Sequence, residues 1–256
     1  MMALRAITSV FTITEFELRK VYHDMSQVFI RALQPVLWLV IFGEVFSKVR
    51  VLPTTGYSYL QFLTPGVLAQ SVVFMAIFLG ITLVWERDLG LLHKLLSAPI
   101  PRSSIIIGKA FAAGARSILQ AIVVFILALI MRIELTIDVV SVLGVLFIII
   151  LSGMCFSSLS IFLASLFKTR ERMMGIGQAI TMPLFFASSA IYPIDLMPDW
   201  LKIIARVNPL SYIVDALRAL LVTGDFSRLP VDLGVLVLAV IVMVGLATLA
   251  FRRIIE

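Results

Sequence analysis

Ionisable residues that could do chemistry, or pair across helices, fall in two short stretches between long apolar runs. Residues 86–88 read Glu-Arg-Asp at the end of one such run, and Asp215 and Arg218 lie three positions apart. At that spacing an acid and a base share one face of a helix and can form an ion pair. The two histidines, His23 and His93, are distant in sequence. No Ser/His/Asp or paired-carboxylate arrangement emerges, so the sequence favours a protein that does not itself catalyse bond chemistry.

The sequence also lacks the residues that would hold a metal ion or a nucleotide. Cys155 is the single cysteine and lies in an apolar run, which excludes an intramolecular disulfide and offers no metal site. A phosphate-binding loop needs the pattern G-x-x-x-x-G-K-[ST], whose backbone amides hold the phosphates. The pair Gly108-Lys109 is followed by Ala110 and has no glycine five positions before it. We therefore expect no cofactor on this chain.

The composition is that of a membrane protein. Of 256 residues, 61% are hydrophobic and 14% are charged, against about 25% charged in an average soluble domain. A soluble fold of this composition would expose large apolar patches to water. The net charge of +6 is explained by basic residues that gather at the cytoplasmic ends of membrane spans, so we do not expect nucleic-acid binding.

Six stretches are long and apolar enough to cross a bilayer, which requires about 20 residues each. Pro35 lies inside the first and Pro183 inside the fifth. The predicted fold is therefore an all-α integral membrane domain that covers the whole chain, 1–256. The predicted spans are 28–46, 62–84, 105–130, 139–167, 173–192 and 233–251.

The distribution of basic residues predicts the orientation. An even number of spans puts both termini on one side, and that side, with the loops between spans 2 and 3 and spans 4 and 5, carries 14 of the 21 Lys and Arg residues. Cytoplasmic segments carry the excess of Lys and Arg. We therefore expect a multi-pass plasma-membrane protein with its N- and C-termini in the cytoplasm.

Three further segments are amphipathic without being simple spans. Residues 14–27 mix apolar and charged side chains, which is typical of a helix at the membrane interface with its charges in water. Residues 86–98 place leucines at helical spacing before two prolines, as a helix that docks on lipid or on a soluble partner would. Residues 195–222 form two short helices interrupted at Asn208-Pro209, which predicts a re-entrant hairpin.

The fifth predicted span carries candidate pathway residues. Gln178 and Thr181 are polar side chains inside the span, and they either hydrogen-bond to another helix or line a route for cargo. Phe185 and Phe186 would give that route an apolar wall, although aromatic side chains that face lipid are common.

Two signatures carry a resemblance to a known family. Glu86-Arg87, Gly90, the run Leu95-Leu96-Ser97-Ala98-Pro99, Pro101-Arg102 and Gly108-Lys109 resemble the cytoplasmic loop of ABC-2 type transporter permeases. The segment before the last span resembles the second signature of that family. Its matching residues are Pro193, Pro198, Asn208, Pro209, Asp215 and Arg218. The similarity covers nearly the whole chain, and its general look is closest to the daunorubicin-resistance permeases.

The resemblance implies a half-transporter. Two permease chains, here a homodimer, would pair with two copies of an ABC ATPase subunit that bind ATP and Mg²⁺, while membrane lipid surrounds the spans. The helix over 86–98 would be the coupling helix that sits in a groove of the ATPase, and the re-entrant helices would cap the pathway on the outer side. Most members export amphipathic drugs, lipids or glycans. The implied coupling residues are Glu86, Arg87, Gly90, Leu91, Leu92 and Leu95.

Two other classes remain open from the residues alone. A secondary transporter that needs no ATPase would carry charged residues at mid-span and an inverted repeat, and neither is clear here. A membrane-embedded lipid-modifying enzyme would need carboxylates or histidines that converge near one membrane face. Co-purification of an ATP-binding subunit would distinguish an ABC-2 permease from both of these classes.

Overall fold

A computed structural model of the chain describes residues 2–23, 26–49, 56–97, 100–167 and 169–251. Every regular element in these ranges is helical, so the predicted all-α fold is confirmed. The helices of 11 residues or more are α1 (Met2–His23), α2 (Ser26–Val36), α4 (Tyr59–Asp88), α6 (Arg102–Ile130), α7 (Val139–Leu166), α8 (Arg170–Phe186) and α11 (Leu229–Ala250). The shorter ones are α3 (Glu44–Val49), α5 (Leu91–Leu96), α9 (Asp199–Val207) and α10 (Pro209–Arg218). A π-helical segment, Leu37–Gly43, joins α2 to α3, and another, Ala219–Thr223, extends α10.

Five helical stretches in the described ranges are long and apolar enough to cross a membrane, which makes this a multi-pass membrane protein. They are Ile30–Lys48, Tyr59–Asp88, Arg102–Ile130, Val139–Leu166 and Leu229–Ala250. The span predicted over 173–192 corresponds to α8, which has 17 residues and ends at Phe186. The predicted boundary at 192 is therefore wrong, because residues 187–193 form an irregular turn.

Two other predicted boundaries also change. The helix predicted over 14–27 falls partly in α1, which begins at Met2 and ends at His23, and partly at the start of α2, and residues 24 and 25 fall outside the described ranges. The helix predicted over 86–98 is divided: residues 86–88 are the last of α4, and α5 follows a two-residue turn. The physical reason is Gly90, whose φ of 72° is the left-handed conformation that ends a helix. Residues 98 and 99 are outside the described ranges.

Helix α4 is the centre of the bundle. In its most apolar window 83% of the residues are buried, compared with 22% for α11 at the periphery. It packs against α6, α7, α8 and α10. Ser160 on α7 hydrogen-bonds to the α4 backbone: its hydroxyl donates to Ile77 O (2.5 Å) and accepts from Gly80 N (2.9 Å). Such bonds hold helices together where burial of apolar surface gives no driving force.

Each end of the bundle contains a cation that pairs with an acid, Lys109 at one end and Arg218 at the other. At the Lys109 end α4 finishes, α6 begins and α7 finishes. At the Arg218 end α4 and α7 begin, and the loop after α8 leads into α9 and α10. Capping side chains define the second end: Ser58 accepts from Gln61 N to start α4, and Asp138 accepts from Val140 N and Ser141 N to start α7.

Candidate functional site

A cluster of five charged side chains lies at the Lys109 end, where α1, α4 and α6 meet. Lys109 on α6 is its centre: Nζ lies 2.5 Å from Glu17 Oε1 on α1 and 2.6 Å from Glu86 Oε2 on α4. The Lys109 side chain is 3% exposed and that of Glu17 is 1% exposed. Two carboxylates from distant parts of the sequence thus share one ammonium group away from water. Buried charges are stable only when they are closely paired.

Two further cations complete the cluster. Lys20 Nζ bridges Glu86 Oε1 at 2.5 Å and Glu17 Oε1 at 3.1 Å. Arg116 on α6 pairs with Glu17 Oε2 at 2.9 Å and also donates to the Glu17 backbone oxygen. Burial by itself would raise the pKa of Glu17, but Lys109, Lys20 and Arg116 together lower it to about 2. Glu17 is therefore a stable carboxylate at neutral pH.

The close approach of α1 to α6 positions this cluster. A Cβ atom at Gly108 would lie 2.9 Å from Ile13 Cβ, so a larger residue there would push α1 away. The Thr14 hydroxyl donates to Val10 O (2.8 Å) and Gly108 O (3.2 Å). Because Ile13, Thr14 and Glu17 share one face of α1, this packing brings Glu17 to Lys109.

The prediction that α1 keeps its charges in water is therefore only partly right. Glu15 and Arg19 form an exposed pair at 2.6 Å on the outer side of the helix. Phe11 and Leu18 are exposed as well, as apolar side chains of a helix that contacts lipid would be. Glu17 is the exception, because its face of the helix packs against α6.

The turn between α4 and α5 carries the predicted coupling residues. Arg87 pairs with Asp88 at 2.9 Å, and Asp88 also approaches Arg170 on α8 at 3.4 Å. Glu86 points inward to the charged cluster. Leu91 is 46% exposed, whereas Leu92 is 2% exposed and packs in the subunit's own core.

Leu92 is a correction to the sequence analysis, which put it on the surface that meets an ATPase. Its position one residue after Leu91 turns it by about 100° around the helix axis, to the side that packs on α4. Leu95 is half-buried. Leu89, at 65%, and Leu91 are exposed apolar side chains at this corner, and Trp85 in the last turn of α4 is 51% exposed.

The signature residues at the Arg218 end make a second, separate polar group. Arg218 Nη1 pairs with Asp215 Oδ1 at 3.1 Å, as their spacing predicts. Asn208 caps α10 by accepting from Leu210 N, and its amide nitrogen donates to Leu184 O and Ala187 O at the end of α8. Pro209 is the first residue of α10, where its missing N–H is tolerated.

Pro193 and Pro198 open the short elements that precede this group. Pro193 stands before the 3₁₀ turn Ile194–Leu196, and Pro198 stands before α9. In each case the proline carbonyl accepts a hydrogen bond from the residue three positions later. These residues therefore have a local structural explanation.

The four predicted pathway residues do not share one surface of the chain. Gln178 and Phe186 are exposed on α8. Thr181 is buried and donates to Gly177 O, and Phe185 is buried against Trp38 with ring centroids 5.1 Å apart. A route lined by all four is not formed within this subunit.

Sequence reasoning missed the roles of Glu17, Lys20, Lys109 and Arg116. A signal was present for two of them, because Lys109 and Arg116 are basic residues two helical turns apart inside a predicted span. Ionisable residues at such positions need partners. The partners could not be identified from spacing, since Glu17 lies 92 positions before Lys109.

The family model of the ABC-2 type transporter matches residues 8–222 of the chain, which include both polar groups. This protein is an ABC-2 type transporter permease. The ycf38 protein of Cyanophora paradoxa is 33% identical over 190 residues, which cover 73% of the permease and 65% of that relative. The permease thus spans slightly less than two thirds of the length of that relative.

Two bacterial relatives are named as transport proteins. The Daunorubicin resistance ABC transporter permease protein DrrB1 of Streptomyces coeruleorubidus is 25% identical over 199 residues, 78% of the permease and 70% of the relative. The Inner membrane transport permease YadH of Escherichia coli is 24% identical over 233 residues, 87% of the permease and 88% of the relative. The chain is therefore a membrane protein of the ABC-2 transporter family, similar to proteins that are named as transport permeases.

Proposed function

We propose that the permease exports an amphipathic drug, lipid or glycan as a homodimer that engages two ABC ATPase subunits. ATP and Mg²⁺ are bound and used only on those partners. One observation carries the proposal: the buried cluster around Lys109 joins α1, α4 and α6 directly behind the α4–α5 corner. This is the arrangement needed to pass a movement from a docked protein into the membrane spans.

The docking contact is assigned to Leu89 and Leu91. Both are exposed apolar side chains on the corner, next to the exposed Arg87–Asp88 pair. An apolar centre with a polar rim is the usual anatomy of a protein interface. Leu92, on the side of α5 that faces the bundle, anchors the corner to the core.

The charged cluster then transmits the movement. Displacement of α5 acts on α4 through the turn at Gly90. Moving α4 away from α6 would break the ion pair between Glu86 and Lys109, and loss of a pairing partner is costly for a buried charge. The helices α1, α4 and α6 therefore move together instead of sliding past one another, and a small displacement at the corner rocks the subunit.

The Lys109 end is assigned to the cytoplasm, since the basic residues concentrate on that side. Helix α8 is the sixth crossing in this proposal. Its 17 residues extend about 25 Å at 1.5 Å per residue, and the turn that follows spans the remaining distance of a hydrocarbon core of about 30 Å. Six crossings return the C-terminus to the side of the N-terminus.

Exposed surfaces support a second copy of the chain as neighbour. Only 17% of the most apolar window of Ile30–Lys48 is buried within the subunit. Gln178 is exposed on α8, and an amide that faces hydrocarbon lacks the hydrogen bonds that a facing helix or a polar cargo would supply. A homodimer that encloses this face would place Gln178 and Phe186 along the cargo route.

The docking assignment is tested by Leu91→Asp. A charge in the centre of an apolar interface should weaken binding of the ATPase at least about tenfold. The measurement is recovery of ATPase with the tagged permease and ATP-driven transport after reconstitution. Leu196→Asp is the control, because Leu196 is similarly exposed (52% against 46%) but lies at the Arg218 end.

The proposal predicts loss of ATPase recovery and transport for Leu91→Asp alone. Equal recovery and equal transport in the two variants would refute the docking assignment. If neither the wild-type permease nor its variants recover any ATP-binding subunit, the ATP-driven mechanism itself fails.

A further inference from the structure

A polar cavity of about 490 Å³ lies at the Arg218 end, between the turn after α8, α9, α10 and the start of α11. It is separate from the charged cluster and from the face of α8 assigned to cargo. Its charged lining residues are three acids and three arginines. They are Asp195, Asp215, Asp232, Arg206, Arg218 and Arg228.

One acid–base pair in this cavity is already satisfied. Arg218 pairs with Asp215, and Nη2 also donates to Ser189 O at 2.7 Å. The guanidinium lies over the Phe62 ring, 3.9 Å from its centroid. The Ser189 hydroxyl donates to Asp215 at 2.7 Å. These contacts fix the pair as part of the wall.

The remaining buried polar groups have no hydrogen-bond partner among the described residues. Asp232 is 6% exposed, lines the cavity, and its carboxylate makes neither a hydrogen bond nor an ion pair there. Ser211 is 3% exposed, and its hydroxyl is unpartnered. The Nε–H group of Arg218 is a third unpartnered atom. Buried polar groups without partners are costly, and a ligand that satisfies them removes that cost.

The positive end of the α11 dipole helps Asp232 to remain charged, since this residue lies in the first turn of that helix. It does not replace a hydrogen bond. A carboxylate and a hydroxyl can both accept from an ammonium group, which has three donors. The Arg218 Nε–H group instead needs an acceptor, and the exposed side chains of Arg206 and Arg228 at the rim add positive charge.

We propose that this cavity binds a zwitterion in which a primary ammonium group lies close to an anionic group, as in ethanolamine phosphate or an aminophospholipid headgroup. The ammonium group occupies the buried end, between Asp232 and Ser211. The anionic group accepts from Arg218 and lies toward Arg206 and Arg228. The balance of three acids and three arginines favours a ligand that carries both charges over a simple cation or anion.

The test measures binding of ethanolamine phosphate to the full-length permease in nanodiscs of phosphatidylglycerol, by calorimetry. The proposal predicts saturable binding that Asp232→Asn weakens at least about tenfold, because it removes a charge-assisted bond. Ser211→Ala should weaken it several-fold. Asp225→Asn is the matched control, since Asp225 is an exposed acid seven positions earlier and outside the cavity.

Glycerol phosphate, which lacks the ammonium group, should bind at least about tenfold more weakly than ethanolamine phosphate. Absence of saturable binding, equal affinity for the two compounds, or equal effects of Asp232→Asn and Asp225→Asn would each overturn the proposal. Size-exclusion profiles and melting temperatures of the variants establish that they are folded.

A second membrane distinguishes the two sources of the ligand. If the natural occupant is a lipid headgroup, nanodiscs that contain phosphatidylethanolamine should abolish calorimetric binding of free ethanolamine phosphate to the wild-type permease. If it is a soluble zwitterion, binding should be equal in both membranes. Each result supports the same chemistry at Asp232 and identifies where the ligand comes from.

Discussion

The Lys109 ammonium on α6 lies 2.5 Å from the Glu17 carboxylate on α1, and both side chains are almost fully buried. This pair joins a helix outside the candidate spans to one that crosses the membrane. Each partner has other contacts, since Lys109 also binds Glu86 and Glu17 also binds Arg116. The consequence is a fixed angle between α1 and the bundle that no local feature of either helix would impose.

Removing the central cation should destabilise the permease strongly. Lys109→Met removes the buried ammonium group from between two carboxylates, which keep only Lys20 and Arg116 as partners, and the expected loss of unfolding free energy is about 3–5 kcal/mol. Lys202→Met is the control, because Lys202 pairs at 3.3 Å with Asp199, whose side chain is 98% exposed. An exposed pair contributes at most about 1 kcal/mol. Chemical unfolding in mixed micelles gives both values, and similar losses would contradict the buried pairing.

The same cluster predicts how stability depends on pH. Burial would raise the pKa of Glu17, but its cationic neighbours lower that pKa from 4.5 to about 2. The folded protein therefore binds this proton more weakly than the unfolded chain does. The contribution of Glu17 to stability should be complete above about pH 4.5 and should be lost as the pH falls towards 2.

The measurement is the unfolding temperature of the permease in an acid-stable detergent from pH 7 to pH 2.5. Glu17→Gln should be less stable at pH 7 and should lose less stability on acidification. Glu15→Gln should follow the wild-type curve, because the side chain of Glu15 is 63% exposed. A Glu17→Gln curve parallel to that of the wild type would contradict the linkage.

Features that depend on neighbouring residues could be predicted from the sequence. Hydrophobic runs gave the helical class, and the interval of three residues gave the Asp215–Arg218 pair. The break at Asn208-Pro209 follows from the side chain and ring of those two residues. Each of these depends on contacts within one or two turns of helix, which residue type and spacing determine.

Features that depend on distant partners could not be predicted in this way. Leu92 and Leu91 are equally apolar, and only the packing of α5 on α4 decides which of them is buried. Helix α8 ends at Phe186, where Asn208 donates hydrogen bonds to two carbonyl oxygens from a position more than 20 residues further along the chain. A single sequence does not reveal which of several apolar or polar residues will meet across the bundle.

Substitution by alanine should change the unfolding free energy in opposite directions at Gly90 and at Gly175. Gly90 has a φ of 72° and open space where a Cβ atom would lie, so Gly90→Ala should cost about 1–2 kcal/mol through backbone conformation alone. Gly175 also has open space, but its φ lies outside the left-handed region in α8, and Gly175→Ala should stabilise by up to about 1 kcal/mol. Unfolding free energies test this, and destabilisation by both variants to the same extent would contradict it.

Exchange of asparagine and aspartate, which is tolerated at most helix N-caps, should destabilise the protein at Asn208. Aspartate and asparagine are about equally good at the first position of a helix, and Asp138→Asn at the start of α7 should change stability by less than about 0.5 kcal/mol. Asn208→Asp keeps the acceptor for Leu210 N but loses the two donors to Leu184 O and Ala187 O and turns a negative oxygen towards them.

The expected cost of Asn208→Asp is therefore at least about 2 kcal/mol, the value of two hydrogen bonds to buried carbonyl groups. Asn208→Ala should be comparably damaging, because it loses both donors and the cap. The measurement is the unfolding free energy of Asn208→Asp, Asn208→Ala and Asp138→Asn relative to the wild type. If Asn208→Asp were as mild as Asp138→Asn, Asn208 would be an ordinary cap, and the connection between the end of α8 and the start of α10 would have to be held by other residues.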